Sequence, residues 1–191
     1  MNKIKISILA LINIIIITFA IGCTEINDNN EQKQEPPILL TIKYGDFQIN
    51  YTLNDIESFP KIEGSGYYIK VGWLPEIKID GPLNYTGVEI TSLFEDVENM
   101  PEIYKIKITS SDGWASNFSY NEILGNVDIY NESGNIKDKG GVSMILAYMK
   151  DGEYINESDE GPLRIAFIDD GAITSSNLWI KMVVSIEIIS S

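Results

Sequence analysis

The chain carries no histidine and a single cysteine, Cys23. Ser-His-Asp and Cys-His catalysis, and the common zinc and non-haem iron sites, need an imidazole or a thiolate. What remains for chemistry is carboxylates, Lys, Arg, Tyr or a bound cofactor. The run "DGEYINESDEG" holds Asp151, Glu153, Glu157, Asp159 and Glu160, and "IDDG" adds Asp169 and Asp170. Hard cations take several such oxygens, but no EF-hand-like spacing orders these, and they read as a solvated acidic rim. Ser58 and Lys61 stand three apart, as a nucleophile and base one helical turn apart would. Pro60 sits inside that turn, so the spacing reads as chance. Trp73, Tyr85, Trp114 and Trp179 lie near turns or strand starts. Such aromatics line ligand clefts, sugar-binding ones included, and equally fill cores, and the sequence leaves both open. Five Asn-x-Ser/Thr sequons, at Asn50, Asn84, Asn117, Asn131 and Asn156, follow from an asparagine-rich composition. Of these, Asn131 and Asn156 lie in polar loops and are the best-placed acceptors.

The cysteine sits on a seam. Lys3 and Lys5 precede an apolar run from Ile6 to Ile21, shorter than a comfortable transmembrane helix needs. This is the layout of a secretory signal. Ala20-Ile21-Gly22-Cys23 resembles the lipobox of prokaryotic lipoproteins, matching at Ala20, Gly22 and Cys23 and departing at Ile21. The resemblance implies that Cys23 is acylated, which gives a use to a thiol with no partner in its own chain. An uncleaved signal anchor is the alternative. Both place the protein at the membrane, facing outside the cytoplasm. Residues 1–22 are therefore expected to be the signal peptide, and residues 23–37 a lipid-anchored flexible tether ending in Pro36-Pro37. Residues 38–191 are expected to form one globular domain. The whole chain has a net charge of −14, which repels nucleic acid and anionic headgroups and excludes both as direct ligands.

The elements that must position any site follow from periodicity and turn signals. "ILLTIKYGDFQINYT" predicts two strands around Gly45-Asp46. Thr52 with Asp55 opens a short helix that Pro60 stops. "GYYIKVGW" and "LPEIKID" read as strands. Residues 89–100 put Ile90, Leu93, Phe94 and Val97 on one helical face and predict a helix. "IYKIKITSSDGWASNF" predicts strand, turn at Asp112-Gly113, strand, and Ser119 with Glu122 caps another short helix. "SMILAYMKDGEYI" is a hairpin around Asp151-Gly152, and "PLRIAFI" and "LWIKMVVSIEII" are two long, largely buried strands. The class is α+β: strand-dominated mixed sheets with short helices.

Four segments, in order, resemble the molybdopterin-binding domain of the sulfite oxidase family: "YTLNDIESFP", "YTGVEITSLFEDV", "KITSSDGWASNFSYNEI" and "MILAYMKDGEYI … EGPLRIAFI … LWIKMVVSIEI". The resemblance implies that family's fold. It also implies a molybdopterin cofactor, contacted here by Arg164, Lys181, Trp179, Tyr85 and Trp114. Catalytic members of the family ligate molybdenum through a cysteine thiolate shortly before the Tyr-x-Gly-Val segment. The corresponding region, residues 67–84, has no cysteine, and Cys23 lies upstream of the domain. With the thiolate gone, no cofactor is expected to be held for redox work, and no catalytic or metal-binding residue is assigned. Arg164 also reads as a charge paired with an acidic neighbour on a strand edge. Lys181 reads as an outward alternation between Ile180 and Met182 on a strand. The expectation is a lipid-anchored, non-catalytic protein that binds a small ligand or a partner protein. The alternatives are an active molybdopterin-dependent oxidoreductase or redox-chain subunit, and a glycan-binding adhesion module with aromatics on one exposed face.

Overall fold

A computed structural model describes residues 35–70, 77–169 and 171–190. The signal, the lipobox with Cys23, most of the tether, and Trp73 lie outside the described residues. Contacts divide the chain between Glu35 and Pro36, and every described strand and helix belongs to the unit Pro36–Ser191. Among the described residues no helix is long and apolar enough to cross a membrane.

The unit opens with β1 (Ile38–Tyr44) and β2 (Phe47–Thr52), an antiparallel hairpin that turns at Gly45 with φ +57°. Leu40 and Ile42 point inward from β1, as period-two alternation demands. Thr52 and Asp55 form a reciprocal capping box on the helix Leu53–Glu57, whose Ile56 is buried. Next come β3 (Lys61–Lys70) and β4 (Lys78–Glu89). Then β5 (Tyr104–Ser110) and β6 (Ala115–Phe118) flank the Asp112-Gly113 turn, followed by the helix Tyr120–Ile123, capped by Ser119 and Glu122. The remaining strands are β7 (Asp128–Tyr130), β8 (Ile136–Lys139), β9 (Ser143–Lys150), β10 (Glu153–Tyr154), β11 (Arg164–Ile168), β12 (Ile173–Ser175) and β13 (Val183–Ser190).

These strands assemble two mixed sheets. The first runs β2-β1-β13-β5-β6, with β1 parallel to β13 and Ile42 opposite Ile186. The second runs β10-β9-β4-β3-β12-β7-β8, with β11 also paired to β9 and β12 parallel to β3. Side chains of both sheets share one core, and Phe118 of β6 meets Phe167 of β11 at 6.4 Å between ring centroids. All five residues of β11 are buried, which a strand covered on both faces requires.

Two expectations need correction. Residues 89–100 do not form a helix: a 3-10 turn spans Ile90–Phe94 and the chain then becomes irregular. Ile90, Leu93, Phe94 and Val97 are all buried as the periodicity required. Glu89, however, is still paired to Ile145 in the sheet and gives no side-chain cap. Beyond Phe94, Glu95, Asp96 and Glu98 would oppose the dipole at a helix C-terminus, and Asn99 turns the backbone at φ +56°. Likewise, "LWIKMVVSIEII" is not one strand. Residues Ser176–Leu178 form a 3-10 turn, Met182 has φ +54°, and the strand begins only at Val183.

Candidate functional site

The irregular segment between Leu178 and Val183 builds the site. It is held from two sides by backbone bonds: Ile165 N–H donates to Ile180 O (2.7 Å), Met182 N–H to Glu160 O (2.7 Å) and Ser111 N–H to Met182 O (2.8 Å). The Ser110 hydroxyl also donates to Lys181 O at 2.6 Å. Trp179 and Lys181 are thus fixed between the approach to β11 and the β5–β6 turn. They line a cleft of about 580 Å³ together with Tyr68 and Lys70 of β3, Trp114 of the turn, and Arg164.

Arg164 forms the floor, with 1 % of its surface exposed. Its guanidinium lies over the Tyr85 ring at 5.1 Å and the Trp179 ring at 5.4 Å. Its charge is met by Glu160, 7 % exposed, which also takes Lys150 at 3.0 Å and Lys181 at 3.3 Å. Burial alone would push the Glu160 carboxyl up. The Arg164 charge overrides it, with hydrogen bonds from Lys150 and Arg164 and the Lys181 charge, and holds it at about 2. The Trp179 indole is tilted against Tyr68 (5.1 Å) and Tyr85 (5.7 Å), and its N–H donates to Thr174 Oγ1 at 2.8 Å. Gly66 makes room for it, because a Cβ there would strike the indole and the Phe167 carbonyl. The Tyr85 hydroxyl and Arg164 Nε are buried and have no hydrogen-bond partner among the described residues. Burial pushes the Tyr85 phenol far above its ordinary range, the Arg164 charge only partly opposing this.

The rim is different. Trp114 is 64 % exposed, with its indole N–H on Ser116 Oγ (3.2 Å) and its backbone N–H on Asp112 Oδ1 (2.9 Å). Lys70 reaches Asp80 at 3.0 Å, an acceptor it shares with Lys78 at 3.1 Å. Five cations of a chain that has only fourteen therefore converge on Glu160 and Asp80.

All five residues singled out from sequence meet here. Arg164, Lys181, Trp179 and Trp114 line the cleft, and Tyr85 lies under Arg164 and Trp179. Lys181 does not alternate out of a strand, since the segment is irregular and its ammonium turns to Glu160. Arg164 has the acidic partner expected of it, in a fully buried setting. Glu160 is not part of a solvated rim: it is buried and pairs with Arg164. Its signal was the lone arginine inside the apolar run "PLRIAFI", which demands a buried carboxylate partner. Tyr68 and Lys70 carried no signal of their own. The exposed aromatic face expected of an adhesion module is not formed by Trp114 and Trp179, because Trp179 is buried.

Among the described residues the donors facing the cleft are ammonium, guanidinium, hydroxyl, amide and one carboxylate, Asp112. None is a soft ligand, and among the described residues no three Cys, His, Asp or Glu side chains converge. The lysines could meet the phosphate of a pterin, but nothing here would take molybdenum in place of a thiolate. The described residues thus do not fit the metal form of that cofactor.

Among solved structures the chain is similar to the sulfane dehydrogenase SoxCD from Paracoccus pantotrophus, with a TM-score of 0.55 and 17 % identity. The match covers 80 % of this chain and 38 % of that one, so the chain spans well under half of its neighbour. The likeness is one of fold alone, a strand-dominated domain with mixed sheets. No family model matches the chain, and no curated protein does.

Proposed function

We propose that this chain is an extracytoplasmic binding protein, anchored by a lipid on Cys23, whose oxidoreductase-like domain holds a small ligand in the Arg164–Trp179 cleft without redox catalysis. The observation that carries this is a cleft of ligand size, walled by aromatic rings and cations, on a polypeptide that is otherwise strongly acidic. Such a site concentrates ligands that the rest of the surface repels. The lack of a thiolate or an imidazole anywhere in residues 38–191 supports a non-catalytic role. The lipobox-like sequence supports the anchor.

The fold likeness to a sulfane dehydrogenase favours a second reading, a working molybdopterin oxidoreductase or redox-chain subunit. That reading needs the metal bound without a soft protein ligand. Native mass spectrometry of protein extracted from its own membranes separates the two. The proposed function predicts a diacylglycerol-modified Cys23 at the new N-terminus and a noncovalent organic adduct free of metal. A molybdenum–pterin adduct, or an unprocessed precursor with no adduct, would overturn it.

A further inference from the structure

We propose that the cleft selects a planar aromatic anion, its charge met by Lys70 and Lys181 and its ring laid on Trp114, an inference that rests on the cleft being the ligand site. Four observations lead there. First, the buried rings already have partners: Trp179 has Tyr68, Tyr85, Arg164 and Thr174. Trp114 is the most exposed of the described cleft aromatics, at 64 %, and its indole N–H is held by Ser116 Oγ. A ring stacked there removes apolar surface from water without displacing a contact.

Second, among the described residues the cations that line the cleft outnumber its carboxylates: Lys70, Lys181 and Arg164 against Asp112. Third, Arg164 is 1 % exposed and its Nη1 is paired with Glu160 at the floor, so it presents little of its charge to the cleft. An incoming anion is therefore met by ammonium groups, which are point charges and do not impose the bidentate geometry of a guanidinium. This makes the site selective for charge and flatness and tolerant of whether the charge is a carboxylate, sulfonate or phosphate. Fourth, Asp112 stands beside Trp114 with its carboxylate folded back on the Trp114 backbone. It repels the charged end of the ligand and so orients it: ring toward the β5–β6 turn, anion toward β3 and Lys181.

The test is equilibrium dialysis of the full chain against three probes of similar size: naphthoate, naphthalenemethanol and the saturated decahydronaphthoate. Naphthoate should bind about tenfold tighter than either of the others, which lack the charge or the flat aromatic ring. Lys181→Gln should weaken naphthoate about threefold and Asp112→Asn should strengthen it by a similar factor, as expected for exposed charges. Trp114→Ala should weaken it about fivefold. Equal binding of naphthalenemethanol overturns the charge selection, and equal binding of decahydronaphthoate overturns the stacking. Either leaves a ligand cleft standing. Naphthoate binding that none of the three variants moves overturns the placement. If no probe binds while an organic adduct is seen in native mass spectrometry, this inference alone falls; if neither is seen, the proposed function falls with it.

Discussion

The floor and the rim of the cleft use similar residues to opposite ends. At the floor, Arg164, Glu160, Tyr85 and Trp179 are buried and turned on one another. At the rim, Lys70, Lys181 and Trp114 keep much of their surface in water. A charge at the floor has lost its hydration and must be repaid by a partner, so its removal acts on folding. A charge at the rim is screened and holds little of the fold together, so its removal acts on what approaches. The lesson is that an arginine in a cleft is not thereby a ligand-binding arginine. How deeply it is buried and what carboxylate it meets decide.

The sharpest way to break this contrast is Glu160→Ala, which leaves the Arg164 guanidinium buried without its carboxylate. Urea denaturation should show a loss of roughly 3–5 kcal/mol, the usual consequence of removing one member of a buried pair. Trp179→Ala, which empties the space between Tyr68 and Tyr85, should cost about 3 kcal/mol by the same measurement. Acid sharpens the role of Glu160. Its carboxyl titrates at about 2 in the fold against an ordinary 4.5, so the stability it contributes is complete above the higher value and is lost as pH falls toward the lower. Between those limits the wild-type chain should lose more stability than Glu160→Gln does. Tyr85→Phe has the opposite sign. Its hydroxyl is buried with no partner among the described residues, and deleting it should leave stability unchanged or raise it by about 1 kcal/mol. Lys181→Gln is the smallest, within about 0.5 kcal/mol in stability, its effect appearing instead in ligand affinity.

Local signals carried much of the fold. The Gly45 turn, the Thr52–Asp55 and Ser119–Glu122 capping boxes and the Asp151-Gly152 hairpin are each fixed by a few neighbouring residues, and each forms. The failures came where distant contacts decide. Residues 89–100 have a helical spacing of apolar side chains, but the sheet holds Glu89 and the segment is left with room for only a 3-10 turn. Lys181 sits in a strand-like run that the bonds from Ser110, Ser111 and Ile165 pull out of register. For the site, the aromatic and cationic residues were visible as types, whereas Glu160 was hidden among other acids. Only the backbone bond from Met182 and the chain path into β11 show which carboxylate of that run turns inward.

The division of labour between floor and rim is tested most directly by the salt dependence of naphthoate affinity. Exposed lysines are screened once the Debye length falls to a few ångströms, whereas a desolvated guanidinium is screened far less. If the rim binds the anion, affinity should fall about fivefold between roughly 0.02 and 0.5 M sodium chloride. An affinity that does not change across that range would place the anion on Arg164 and contradict the account.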